Sequence, residues 1–114
     1  VVADQVGTPT SAGSLATALW RCAVLPVSGV LHWTDAGVAS WYDFAVAIAE
    51  EAAAKGLVRR DVVVRPIATV DYPTAARRPA YSVLDKRSAT ASLGIEPRHW
   101  RVELRAVIAE YADA

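Results

Sequence analysis

The stretch GVLHWTDAGVASWYDFAVAIAE, residues 29–50, decides how this chain is read. His32 alternates with apolar neighbours, which predicts a short strand over 30–33. TDAGVAS then reads as a loop. Ser40 with Asp43 three residues on has the form of a capping box. In such a box the hydroxyl accepts one orphan backbone N–H and the acid answers another. Trp41, Phe44, Ala45, Ile48, Ala49 and Ala52 recur at helical spacing and make one apolar stripe. Asp43, Glu50, Glu51 and Lys55 fall largely off it, so the two glutamates read as a solvated face. Gly56 is placed to end the helix.

Outward from this centre the pattern repeats. Residues 1–3 read as the end of a strand, and 4–9 as a loop broken by Gly7 and Pro9. Thr10 or Ser11 can cap a helix whose apolar face is Ala12, Leu15, Leu19 and Cys22. A turn at 26–29 leads into the central stretch. Beyond it, 62–64 is a β-branched strand, and 69–76 is irregular or one short helical turn. Pro79 disfavours a helical Arg78, so RRPAYSVLD (77–85) begins extended. Asp85 can cap a short helix to Leu93, closed by Gly94. Pro97 opens a last helix with Trp100, Leu104, Val107, Ile108 and Tyr111 on one side. The expectation is an α/β chain of about four helices and two or three short strands. The strands are too few and short to form a core alone, so they are expected to join or flank a larger sheet.

Composition narrows the function. A chain of 114 residues fits one domain. With 54% hydrophobic and 21% charged residues it is globular, not a disordered tail. The net charge of zero offers no basic excess for a nucleic-acid backbone. No apolar run approaches the ~20 residues that cross a bilayer. The lone Cys22 reads as a small core residue, and one cysteine allows no internal disulfide, which fits a reducing cytoplasm. His32 reads as a hydrogen-bonded structural residue and His99 as a surface or capping one. There is no glycine-rich phosphate loop and no nucleophile elbow. The chain begins at Val1 without methionine, and is read as a fragment whose N-terminal portion lies elsewhere.

Two polar loops carry the chemistry that remains. In DQVGTPT (4–10), Asp4 and Gln5 supply a carboxylate and an amide, and Thr10 stands at a helix start that favours an anion. The bland alternative is a capped strand-to-helix turn. In the second loop, Arg77 and Arg78 precede Pro79, then Tyr81 and Ser82. Guanidinium forks suit phosphate oxygens, and a tyrosine ring can stack on a base or sugar. The bland alternative is an exposed basic turn.

VVADQVGTPT, the central stretch and VRPIATVDYPTAARRPAYSVLD, in this order, resemble the C-terminal part of the dTDP-4-dehydrorhamnose reductases. These are extended-type short-chain dehydrogenase/reductases of dTDP-rhamnose synthesis. The resemblance covers nearly the whole chain, and the central stretch alone is shared with nucleotide-sugar epimerases and dehydratases. It implies that residues 1–114 are the C-terminal substrate-binding portion, partnered by an N-terminal Rossmann domain that binds NADPH or NADH and carries a Tyr-x-x-x-Lys pair. No catalytic or cofactor-binding residue is then expected here. The fragment alone is expected to be inactive, as part of an enzyme that reduces dTDP-4-dehydro-L-rhamnose to dTDP-L-rhamnose. By similarity, Arg78 would pair with the diphosphate of the dTDP-sugar, with Tyr81 and Ser82 beside it. Gln5, Thr8 and Thr10 would line the sugar or nucleotide side. Family members include dimers and binders of a divalent metal such as Mg, and no motif here localises either. Ser11 and Ser14 stand where the family often carries Tyr and Asp. The alternatives are another nucleotide-sugar epimerase or dehydratase, or a non-enzymatic nucleotide-sugar-binding module.

Overall fold

A computed structural model describes residues 1–114. In chain order it has β1 (Val6–Gly7), α1 (Ala12–Val24), β2 (Ala39–Ser40), α2 (Trp41–Ala54), a 3-10 turn (Thr69–Asp71), α3 (Arg87–Leu93) and α4 (Trp100–Asp113). β1 and β2 pair antiparallel, Val6 opposite Ser40 and Gly7 opposite Ala39. Single parallel bridges join Val2 to Ile67, Val6 to Tyr81 and Ala36 to His99. The four helices and the mixed α/β character are as the sequence predicts. No helix is long and apolar enough to cross a membrane.

The strands lie elsewhere than expected. Residues 30–33 and 62–64 form no strand, and of 1–3 only Val2 makes a bridge. Their β-branched side chains favour an extended backbone, but a strand also needs an edge to pair with. Val30 and Val63 are instead 81% and 75% exposed. The true strands sit inside the two stretches read as loops. His32 is exposed and in no strand, unlike the structural residue expected. Pro97 does not open α4. Residues 98–99 are held extended against Ala36, whose N–H donates to the Arg98 carbonyl and whose carbonyl accepts from the Trp100 N–H. The helix therefore starts at Trp100, capped by His99 Nδ1, which accepts from the Arg101 N–H at 3.2 Å.

The caps follow the sequence more closely. Ser11 caps α1 by accepting from the Ser14 N–H at 3.0 Å. Ser40 Oγ accepts from the Asp43 N–H, and Asp43 Oδ2 accepts from the Ser40 N–H at 2.8 Å, which closes the expected box. Gly56 and Gly94 take positive φ just past α2 and α3.

Packing gathers in two small cores. One holds Ala39, Ala47, Trp100 and Leu104, with Phe44 and Ile108 against it. Phe44 meets Trp100 edge-on with ring centroids 6.0 Å apart. The other joins α1 to α3 through Ala18, Ala89 and Leu93, with Cys22, Leu31 and Trp33 packed around. On α1 the contact face is turned from the expected stripe: Ala18 is buried while Leu15 and Leu19 are exposed. Between α2 and α4, Glu51 is only 13% exposed and pairs with Arg101 and Arg105, each at 3.0 Å. That corrects the solvated-face reading for Glu51, because α4 docks on the side of α2 that looked free, while Glu50 stays exposed as expected. The whole is a slab of 49 × 38 × 21 Å. Its radius of gyration, 16.2 Å, exceeds the roughly 13 Å of a compact chain this long.

Two predictions follow from these contacts. Gly37 has φ +84°, and an added Cβ would come within 2.4 Å of His99 Nε2 and 3.1 Å of the Trp100 ring. Gly56 has φ +72° with open space around it. Gly56→Ala is expected to cost about 1 kcal/mol, the left-handed penalty alone. Gly37→Ala is expected to cost at least twice that, read as the difference in urea unfolding free energy. The second prediction concerns acid. Ser40 holds the Asp43 carboxyl below its usual range, and Arg105 first, then Arg101, does so for Glu51. Groups depressed in the folded state stabilise it above their unfolded pKa values, roughly 4. That stability is lost as pH falls through the folded values. The urea midpoint is therefore expected to hold from neutral to about pH 5 and to drop below pH 4. Asp43→Asn should flatten part of the drop.

Candidate functional site

The two polar loops, far apart in sequence, meet on β1. The Val6 N–H donates to the Ala80 carbonyl at 2.8 Å, and the Val6 carbonyl accepts from the Ser82 N–H at 2.9 Å. The Ser82 hydroxyl donates to that same carbonyl at 3.2 Å. Gly7 makes this approach feasible, since a Cβ there would lie 2.9 Å from Ser82 Oγ. β2 pairs with β1 as well, so residues 39–40 and 80–82 both converge on it.

The preceding residues are clamped by Thr69. The Asp4 carboxylate accepts from the Thr69 hydroxyl at 2.6 Å and from its N–H at 2.9 Å. The hydroxyl, and after it the amide, hold the Asp4 carboxyl below its usual range. Gln5 Nε2 donates to Thr69 Oγ1 at 3.1 Å. On the other side, the Thr8 hydroxyl donates to the Gly37 carbonyl at 2.8 Å. The Thr10 hydroxyl donates to the Thr8 carbonyl at 3.1 Å and accepts from the Asp35 N–H at 3.3 Å.

Of the six residues expected to bind ligand, five thus gather along β1 and its flanks: Gln5, Thr8, Thr10, Tyr81 and Ser82. Tyr81 is 67% exposed beside β1. Arg78 stands a few residues before it, exposed and with no carboxylate partner, and Arg77 is in the same state. Arg59, Arg87, Arg98, Arg101 and Arg105 are all paired with acids. Arg21, Arg60 and Arg65 are also without an acid partner, but only Arg77 and Arg78 are adjacent to the residues that pair with β1.

Asp35 escaped the sequence reading. Its side chain is fully buried, and Oδ2 accepts from the Ser11 N–H at 2.8 Å. The anion favoured at the start of α1 is thus supplied from within the chain. The position lies in a short polar loop, and an aspartate there reads as a solvated turn residue. Only the docking of that loop against 8–11 and 98–100 buries it.

Two open cavities, about 410 Å³ beside α2 and α4 and about 290 Å³ between α1 and α3, touch none of the six residues. No group of three or more His, Cys, Asp or Glu side chains is arranged to hold a metal. The chain's one sheet is a two-stranded antiparallel pair, unlike the parallel sheet of a dinucleotide-binding domain. The available chemistry is recognition: free guanidinium groups, an exposed phenol ring and hydroxyls whose protons are already donated within the chain, leaving them acceptor capacity.

The chain is 40% identical to a dTDP-4-dehydrorhamnose reductase of Aggregatibacter actinomycetemcomitans, over 99% of this chain and 40% of that protein. It spans about two fifths of the length of the curated relatives it matches. A dTDP-4-dehydrorhamnose reductase structure from Clostridium acetobutylicum covers 97% of this chain, and 38% of its own, at a TM-score of 0.86 and 39% identity. One from Bacillus anthracis, solved in complex with NADP, covers 96% of this chain and 37% of its own at 0.84 and 27%. A model of the RmlD substrate binding domain matches residues 1–113, and the chain belongs to that family.

Proposed function

We propose that this chain is the dTDP-sugar-binding portion of a dTDP-4-dehydrorhamnose reductase, which reduces dTDP-4-dehydro-L-rhamnose to dTDP-L-rhamnose with NADPH or NADH. The observation that carries the reading is the convergence of two distant polar loops on β1, with Arg78 unpaired beside them. Arg78 takes the diphosphate, Tyr81 stacks on the base or sugar, and Ser82 lies beside them. Gln5, Thr8 and Thr10 face the sugar or nucleotide, where the threonine lone pairs accept from ligand hydroxyls. An N-terminal Rossmann domain holds the nicotinamide cofactor and supplies the proton donor. The exposed apolar side chains of the slab, Trp20 and Val30 among them, are covered in part by that domain. The partners are thus the dTDP-sugar and the Rossmann domain, in the cytoplasm. No residue here is assigned to a divalent metal or a homodimer contact.

Arg78→Ala in the full-length gene product is expected to raise the substrate KM ten- to a hundredfold, on the order of 1.5–3 kcal/mol for a charged hydrogen bond. kcat should change much less, since a diphosphate contact is made in ground and transition states alike. An unchanged KM removes Arg78 from the site. A panel of dTDP-, UDP- and GDP-linked 4-keto sugars separates this reading from an epimerase or dehydratase. The 114-residue chain by itself is expected to oxidise no NAD(P)H in the presence of a 4-keto sugar nucleotide. Turnover by that chain would refute the division of labour.

A further inference from the structure

We propose that Asp35 is a positioning residue for the ligand-facing segment 8–11, a role that rests on the dTDP-sugar reading above. Asp35 is fully buried, and no Arg or Lys pairs with it. Its Oδ2 accepts from the Ser11 N–H at 2.8 Å, while its Oδ1 is buried without a partner. A buried polar atom left unsatisfied is costly, and a position shaped by packing alone would carry an apolar residue.

What Asp35 supplies instead is two of the three contacts between its loop and segment 8–11, one of them from its side chain. Its carboxylate takes the Ser11 N–H, and its own N–H donates to Thr10 Oγ1 at 3.3 Å. The Gly37 carbonyl, in the same loop, accepts from the Thr8 hydroxyl at 2.8 Å. The loop is itself fixed from behind, by the pairing of Ala36 with residues 98–100 and by Gly37 lying against His99. Segment 8–11 thus rests on a rigid support, joined to it by the Asp35 carboxylate and by the Thr8 and Thr10 hydroxyls. Removing the carboxylate leaves the Ser11 N–H without its acceptor. Ser11 is then tied by its hydroxyl to Glu103 and the Ser14 N–H, and the looser 10–11 backbone blurs the direction of the Thr10 hydroxyl.

Kinetics of the full-length gene product test this. Asp35→Asn keeps an acceptor for the Ser11 N–H and the same volume, so its KM for the dTDP-4-keto sugar should stay within about threefold of wild type. Asp35→Ala should raise that KM about tenfold, with kcat and the KM for NADPH changed less than twofold. Where the alanine variant fails to fold, Asp35→Ser takes its place, since its hydroxyl is too short to reach Ser11, and carries the same expected KM. A merely structural role lowers the melting temperature and the yield of active protein but leaves KM alone. An active wild type whose alanine or serine variant keeps the wild-type KM overturns the role of Asp35. So does an asparagine variant as impaired as alanine. A wild type with no turnover of any dTDP-4-keto sugar defeats the underlying reading, and this inference with it.

Discussion

The backbone of Val6 is the constraint on which the site depends. Its amide and carbonyl bond to Ala80 and Ser82, while its strand pairs with β2 on the other side. A single short strand thereby holds two distant chain segments, 39–40 and 80–82, on its two sides. β2 runs directly into α2, so the same pairing fixes where that helix starts. The α2–α4 core and the Glu51–arginine cluster then set α4, and the residues just before α4 brace the loop that carries Asp35. The positions of Thr8 and Tyr81 are therefore settled by packing some distance away. Recognition groups on a thin element gain precision only from such supports.

The parts legible from sequence were those decided by near neighbours. The Ser40–Asp43 box, the Ser11 cap and the glycines closing α2 and α3 each need only a few residues of chain. The short strands were not legible, because pairing is settled by a distant partner. Val62 and Val63 have strand chemistry and no edge to join, whereas Gly7 has poor strand chemistry and does pair. Glu51 and Asp35 were misjudged or missed for the same reason: polarity suggested solvent, and docking of a remote element removed it.

For the site, residue types gave the chemistry and the resemblance gave the roles. The convergence of residues 4–10 with 77–82 could not have been derived from either loop alone. The structure adds a distinction that composition hides. Five of the ten arginines are spent in ion pairs, and Arg77 and Arg78 are among the five that are not, the two that stand side by side before Pro79. It also shows that the α1 start already has its anion, which separates Thr10 from the phosphate chemistry a bare helix start would suggest.

The joining of Val6 to Ser82 spans 76 residues, and the Trp100 ring reaches the Val38 carbonyl across 62. Contacts of such long range must close large loops before they return any energy, so they form late. During synthesis, the residues of the first loop leave the ribosome well before their partners exist. The junction of the two loops on β1 is thus absent from any chain made only as far as Pro79, and it closes late in folding.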